Sequence, residues 1–568
     1  MFRKPALPCG SSVPVHRFWP VTAGLFLMLA ACGGGGGSSS GSPSSLLAYT
    51  IGGTVSGLSG TLALQDDLAD NLQLSSSGTF TFPTPLVTGS VYSVTIAAQP
   101  SGSTCAVSYG EGAVSANVTS VVIECNPTAA SGRWAWFGGS SSIDASSVYG
   151  TKGVTASTNQ PSAREAPNAW TDANGNFWLF GGLAYDSGSN GGLLNDLWEY
   201  QPALGQWVWI SGSSSFGSAG SYGTQGQAAA ANTPGAREAA GAWTDSTGQL
   251  WLFGGLTAGS SNSTVQFNDL WRFQPTTGQW TWMGGSNTSN PTGNYGTQGV
   301  AASGNVPPPR GYPVTWVDKA TGILWLFGGE QADSSGVTAL FNDLWSYDPT
   351  TGLWTWVSGP SSPNAAGTYG TEGTAATTNV PGSRAAAMGW VDSSGNLWMM
   401  GGSGTDQAGS TGLLNDLWRY SPTSGEWTWM GGAATVRATS VYGSQGVAAA
   451  GNAPGSRAAA MSWTDPSGNF WLFGGIGYDQ SANLDDLSDL WEYNPGVGQW
   501  TWVSGSAHAA ASGNYGAQGV AASGNLPGAR EQAAGWLDGQ GNLWLFGGYG
   551  VDSMGSQDDL NDLWSFAP

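Results

Sequence analysis

An all-β chain built mostly from one repeated unit is what three observations predict. Gly supplies 91 of 568 residues and Trp 31, while charged residues make up only 9%. Such a composition is poor in helix formers and rich in strand and turn formers. Aromatic residues at 12% exclude a disordered chain. From residue 132 onward the sequence repeats with a spacing of 73 or 74 residues. The net charge of −21 argues against a nucleic-acid partner.

The first 31 residues read as an address. Arg3, Lys4 and Arg17 precede an apolar run from Val21 to Ala31, too short for a stable membrane span and suited to a signal peptide. The run ends in Leu29-Ala30-Ala31-Cys32, followed from Gly33 to Gly41 by Gly and Ser alone. This resembles the bacterial lipobox. The resemblance implies cleavage before Cys32, acylation of Cys32, and, with Gly33 in place of Asp, an outer-membrane lipoprotein facing the periplasm or the surface. Membrane contact is then expected only through the lipid anchor. Residues 32–47 form a Gly/Ser linker.

Cys9 leaves with the signal and Cys32 carries lipid, so Cys105 and Cys125 remain. An oxidising compartment is expected to pair them, worth about 3 kcal/mol on chain-entropy grounds. No thiol is left for catalysis. Both lie in residues 48–127, where Leu62 to Leu64, Leu72 to Leu74, Thr79 to Phe82, Tyr92 to Ala97 and Val118 to Ile123 alternate apolar and polar residues. The alternation predicts a small antiparallel β-sandwich. It resembles the transthyretin-like or Ig-like stalk modules of bacterial surface proteins, which implies a spacer, with ligand binding as the alternative.

Residues 132–568 carry the repeat. An Asp recurs at Asp196, Asp269, Asp343, Asp416, Asp489 and Asp562; a Tyr-Gly recurs at Tyr149, Tyr222, Tyr295, Tyr369, Tyr442 and Tyr515. Each unit reads as four strands. The first runs from an Arg to Trp-x-Asp, the second is solidly apolar into Gly-Gly, the third begins at the recurrent Asp, and the fourth is Trp-x-Trp. An apolar strand without alternation must be covered on both faces. Four-stranded sheets packed face to face around an axis satisfy that, so the expected fold is an all-β six-bladed β-propeller preceded by the β-sandwich. The order of apolar strand, Gly-Gly, variable loop and Trp-bearing strand resembles the kelch repeat, whose wider family includes the central domain of galactose oxidase. The period departs from it, since a kelch unit is nearer 50 residues. Trp134 and Trp136 look like a fourth strand without its predecessors, and the last unit lacks one. The two are expected to close the ring together. Five Trp per unit over six units, with Trp19, account for all 31, so repeated Trp reads as core.

Loops of one face are long: 28 positions separate the second Trp of a unit from the next Arg. That face is the expected surface for a protein or glycan ligand. Three constellations lie on it. Arg164, Arg237, Arg310, Arg384, Arg457 and Arg530 either brace each blade against the recurrent Asp or clamp an anion. Asp186, Asp333, Asp406, Asp479 and Asp552, in the loops after Gly-Gly, are either solvated carboxylates or oxygen ligands for Ca²⁺. Glu165, Glu238 and Glu531 follow the Arg in three blades that ring closure makes adjacent. They pair with Arg or do acid–base work on a glycoside. A copper site like that of galactose oxidase needs His and Cys, and 132–568 has no Cys and one His, His508. No cofactor is expected except Ca²⁺. The reading is a binding scaffold, with a carbohydrate-active enzyme as the alternative.

Overall fold

The computed structural model describes residues 47–568 except 59, 67–69, 101–102, 128–131, 186–190, 259–263 and 333–337. Cys32, the signal peptide and almost all of the linker lie outside the described residues. Strands and turns account for the regular structure, and no α-helix occurs among the described residues.

In the N-terminal part, Ile51–Ser56 lies between Gly78–Thr81 and Val118–Pro127, and Ser103–Ser108 adds to the far side of Val118–Pro127. A second sheet joins Asp70–Leu74, Leu62–Asp66, Val91–Ala98 and Glu111–Ala113. Both sheets turn apolar residues into one core, including Ile51, Leu62, Leu64, Phe82, Val121 and Ile123. The expected antiparallel arrangement is corrected at one pair: Ile51–Ser56 and Val118–Pro127 are parallel. Between them the chain passes through the second sheet, a crossover long enough to return a strand in the same direction. Cys105 and Cys125 stand opposite each other in the register and form a disulfide.

The repeats form propeller-like four-stranded antiparallel sheets. In unit two the order is Gly241–Thr244, Leu250–Phe253, Leu270–Gln274 and Gln279–Gly284, innermost to outermost. The second strand is buried at every position. Its neighbours explain this, because each core cluster draws on two adjacent sheets. Trp170 and Phe180 of unit one pack with Leu252, Trp271 and Trp280 of unit two. A Trp in such a place buries 150–250 Å², roughly 4–6 kcal/mol gross. In the last unit, Arg133–Gly138 pairs antiparallel with Gln557–Ala567 and supplies the outermost strand.

Adjacent innermost strands neighbour one another in a closed cycle, with Ala534–Leu537 returning to Asn168–Thr171. Indoles stitch five of its six junctions, as where Trp170 Nε1 donates to Trp251 O at 3.0 Å, Trp243 to Trp325 O at 2.9 Å, and Trp536 back to Trp178 O at 3.2 Å, while Trp463 Nε1 is buried without a partner.

The first strand is not continuous from the Arg, as the sequence suggests. Arg164–Glu165 pairs with Leu183–Tyr185, and Asn168–Thr171 pairs with Phe177–Phe180. Between them Ala166 takes a left-handed conformation, φ 49°, and the same turn recurs at Ala239, Tyr312, Ala386, Ala459 and Gln532. The N–H of each then donates to the carbonyl of its counterpart in the preceding unit, from Ala239 to Ala166 through Gln532 to Ala459. Ala166 N to Gln532 O, 2.8 Å, completes a circle of backbone hydrogen bonds about the axis.

The surplus over a shorter repeat covers edges. In the connection entering unit two, Ala229 bridges to Trp280, Gly226 N–H donates to Trp282 O, and Asn232 Nδ2 donates to Trp280 O at 3.1 Å. In unit six Asn525 does the same to Trp134 O. An exposed outer strand would offer unpaired N–H and C=O groups to another chain. Much of each long connection therefore serves the sheet, which reduces the loop surface free for ligands.

Candidate functional site

The recurrent polar residues are occupied with one another. In unit two, Arg237 reaches Asp269 with both terminal nitrogens, at 2.7 and 2.9 Å, and spends its remaining groups on the carbonyls of Gly235 and Gly254. Asp269 Oδ2 also accepts from the Tyr222 hydroxyl and the Trp271 indole, each at 2.7 Å. Arg164, Arg310, Arg384, Arg457 and Arg530 make the same pairs, and every partner is fully buried. Of the two readings of the recurrent Arg, these buried pairs fit the brace. The recurrent Tyr of each long connection is part of it, which ties the connection to the sheet it enters.

The Asp residues of the Ca²⁺ reading are likewise occupied where they can be followed. Asp406 Oδ1 accepts from the N–H groups of Ala408 and Ser410, and Oδ2 from Val436 N–H. Asp479 caps Ser481, Asn483 and Ala509; Asp552 caps Met554 and Ser556. These carboxylates close the hairpin tips. Asp186 and Asp333 lie outside the described residues. No group of three or more His, Cys, Asp or Glu side chains among the described residues is arranged to hold a metal ion. His508 is exposed beside Asp479, 3.8 Å away.

Glu165, Glu238 and Glu531 are brought together. Each immediately precedes a residue of the backbone circle, so they rim the axis on the hairpin face. Glu165 faces Leu183 across the strand pair, Glu238 faces Leu256, and Glu531 faces Tyr549. Unit three has Gly311 there, but Glu330 stands opposite it. Units six, one, two and three thus form an unbroken acidic arc, while unit four has Ala385 with Ser403 and unit five Ala458 with Ile476.

Burial first, then the charges of Asp558 and Asp486, push Glu165 up to about 7. Burial and then Glu165 and Glu330 push Glu238 up to about 7. Burial, Asp486 and Glu165 push Glu531 up to about 8. Tyr312 reaches across the axis toward Gln532, and burial together with these four Glu raises its pKa as well. At the other end the axial cavity, about 330 Å³, is lined by Ala169, Thr171, Ala242, Thr244 and Ser462. Hydroxyls there bond to neighbouring carbonyls, as Thr244 does to Thr171 O.

Sequence reading missed Glu330, Tyr312, Gln532 and the acids of the last two hairpins. A signal existed: the position of Ala166 holds Ala in four units and Tyr or Gln in two. No protein-family model and no curated protein matches the chain.

Proposed function

We propose that this is a six-bladed kelch-type propeller behind a small β-sandwich spacer, held at the bacterial outer membrane by a lipid on Cys32. It acts as a binding scaffold for a protein or glycan through the face that bears the hairpins after Gly-Gly. One observation carries the reading: the repeated polar groups satisfy one another, whereas Glu165, Glu238, Glu330 and Glu531, which break the repeat, gather on that face around the axis. Enzymes need groups free to react, and within the braces none is free. Glycan arrays and pull-downs with the full chain, run beside hydrolase screens, test it. Capture without turnover is the expected result.

A second reading, a glycoside hydrolase, is favoured by the protonation of Glu165, Glu238 and Glu531 near neutrality, which suits a general acid. Turnover abolished by Glu238→Gln would establish it over the scaffold.

A further inference from the structure

One buried carboxyl in the acidic arc accepts no hydrogen bond among the described residues. Asp559 lies in the cross-strand row Glu531, Tyr549, Asp559 of unit six, and residues in such a row share a sheet face. It is 0% exposed, and neither carboxylate oxygen accepts a hydrogen bond. The other units show how the fold treats this position. Leu193, Leu340 and Leu413 fill it with hydrocarbon. Gln266 pairs its amide with the Ala332 backbone, and Asp486 accepts from Gln557 Nε2 at 2.8 Å. Only the last unit leaves a carboxyl there without a hydrogen-bond partner, and burial makes it keep its proton unless a cation from outside answers its charge.

The backbone around Asp559 follows the repeat, since Asn290 N–H donates to Gln266 O and Ala510 N–H to Asp486 O as Asp144 does here, but the side chains there do not. Arg164–Glu165 of unit one packs against both Leu543–Val551 and Gln557–Ala567, which sets Glu165 beside Asp559. Asp144 donates its N–H to Asp559 O at 2.9 Å, and its own Oδ1 is buried without a partner. Asp558 adds a further charge. Tyr549 stands among these carboxylates where other units have Leu183, Leu256, Glu330, Ser403 or Ile476. The guanidinium that faces Asp559 is Arg164, already paired with Asp196. Every Lys or Arg ion pair among the described residues is one of the six braces.

We propose that the junction of units six and one binds an alkylammonium group, with Asp559 and Glu165 as its charge partners and Tyr549 as an aromatic wall. An ammonium offers three donors to carboxylates spread over two sheets and is attracted to an aromatic face. A metal ion needs ligands converging on one point, which this cluster does not provide. The proposal rests on the reading of the hairpin face as the binding surface, and names the chemistry of what enters it. The same group could arrive on a free polyamine or on a lysine of a partner.

Titration calorimetry on the full chain with spermidine, a Gly-Lys-Gly peptide, uncharged 1,8-octanediol and CaCl₂ tests it. Spermidine, the peptide or both are expected to bind, and which one does identifies the source; the diol is expected not to. Affinity should fall at least tenfold in Asp559→Leu, Asp559→Asn and Glu165→Gln and stay unchanged in Asp406→Asn. Asp559→Leu installs the residue three other units use, so it should melt above the parent while losing the amine. Neither amine binding, variants that bind as the parent does, or Ca²⁺ binding more tightly at the same residues would each overturn the proposal. Partner capture that persists in Asp559→Leu would leave the scaffold reading standing and remove the ammonium.

Discussion

The Tyr312 hydroxyl donates to Gln532 Oε1 at 3.2 Å and so links unit three to unit six across the axis. Both residues hold the left-handed turn, φ 52° and 55°, that alanine holds in the other four units. Each such turn costs roughly 1–2 kcal/mol for a residue with a Cβ, and the circle of backbone hydrogen bonds offsets it. The pair therefore sits on a symmetric frame without being needed to build it. In a double-mutant cycle with Tyr312→Phe and Gln532→Ala, the coupling energy should be about 1 kcal/mol. Additive effects in denaturant unfolding would show that the two do not interact in solution.

The braces make a stronger demand. Arg237→Met leaves Asp269 buried without its cation, and should lower the unfolding free energy by about 3–5 kcal/mol. Replacing both, as Arg237→Met with Asp269→Leu, should recover only part of that loss, because it removes the orphaned charge but leaves the Tyr222 hydroxyl, the Trp271 indole and the Gly235 and Gly254 carbonyls without partners. Denaturant midpoints of the single and double variants check both statements.

Unit three carries the one insertion in the turn between first and second strands. Elsewhere the turn Asp accepts from a Trp indole, as Asp245 does from Trp251 at 2.8 Å. With one extra residue, Asp318 instead bonds to Ala320 and Thr321, and Trp325 Nε1 is buried without a partner. Deleting Ala320 should restore the bond and raise stability by about 1 kcal/mol. A fall in melting temperature would mean that the inserted residue is needed there.

Acidity has an unusual sign here. Glu531 and Asp559 are pushed up to about 8 and about 9, by burial first and by neighbouring carboxylates second. A carboxyl whose folded pKa exceeds its unfolded value keeps its proton longer in the folded state. Its stabilisation is complete below about pH 4 and is lost as pH rises through 8 to 9, by up to about 1.4 kcal/mol per pH unit per proton. Unfolding free energy should thus decline from pH 5 to pH 9, and the decline should flatten in Glu531→Gln with Asp559→Asn. An equal slope in the variant would remove these groups as its cause.

Periodic features were legible in the sequence because periodicity is what a single sequence displays. The recurrent Asp, Arg, Tyr and Trp mark the sheets, and the isolated Trp134 and Trp136 anticipate the pairing with Gln557–Ala567. The site was legible only where departures from the repeat share one position, as Glu165, Glu238 and Glu531 do. Glu330 escaped because it replaces the missing carboxylate from the opposite strand, and only cross-strand register sets it beside Gly311. Asp559 escaped because its isolation depends on what Gln557 does for Asp486 and nothing does for it. The parallel pair in the N-terminal part was hidden for a related reason. Alternation predicts a strand and its faces but not its direction relative to a distant partner.

Repeated groups hold the ring of sheets, and the proposed binding rests on the acids that break the repeat. One variant tests that division: Glu165→Ala, Glu238→Ala, Glu531→Ala and Asp559→Leu together, each the residue found in other units. Its melting temperature and its capture on glycan arrays and in pull-downs should be measured beside those of the parent. Melting at or above the parent, with capture lost, is the expected result. Melting several degrees lower, or capture unchanged, would contradict it.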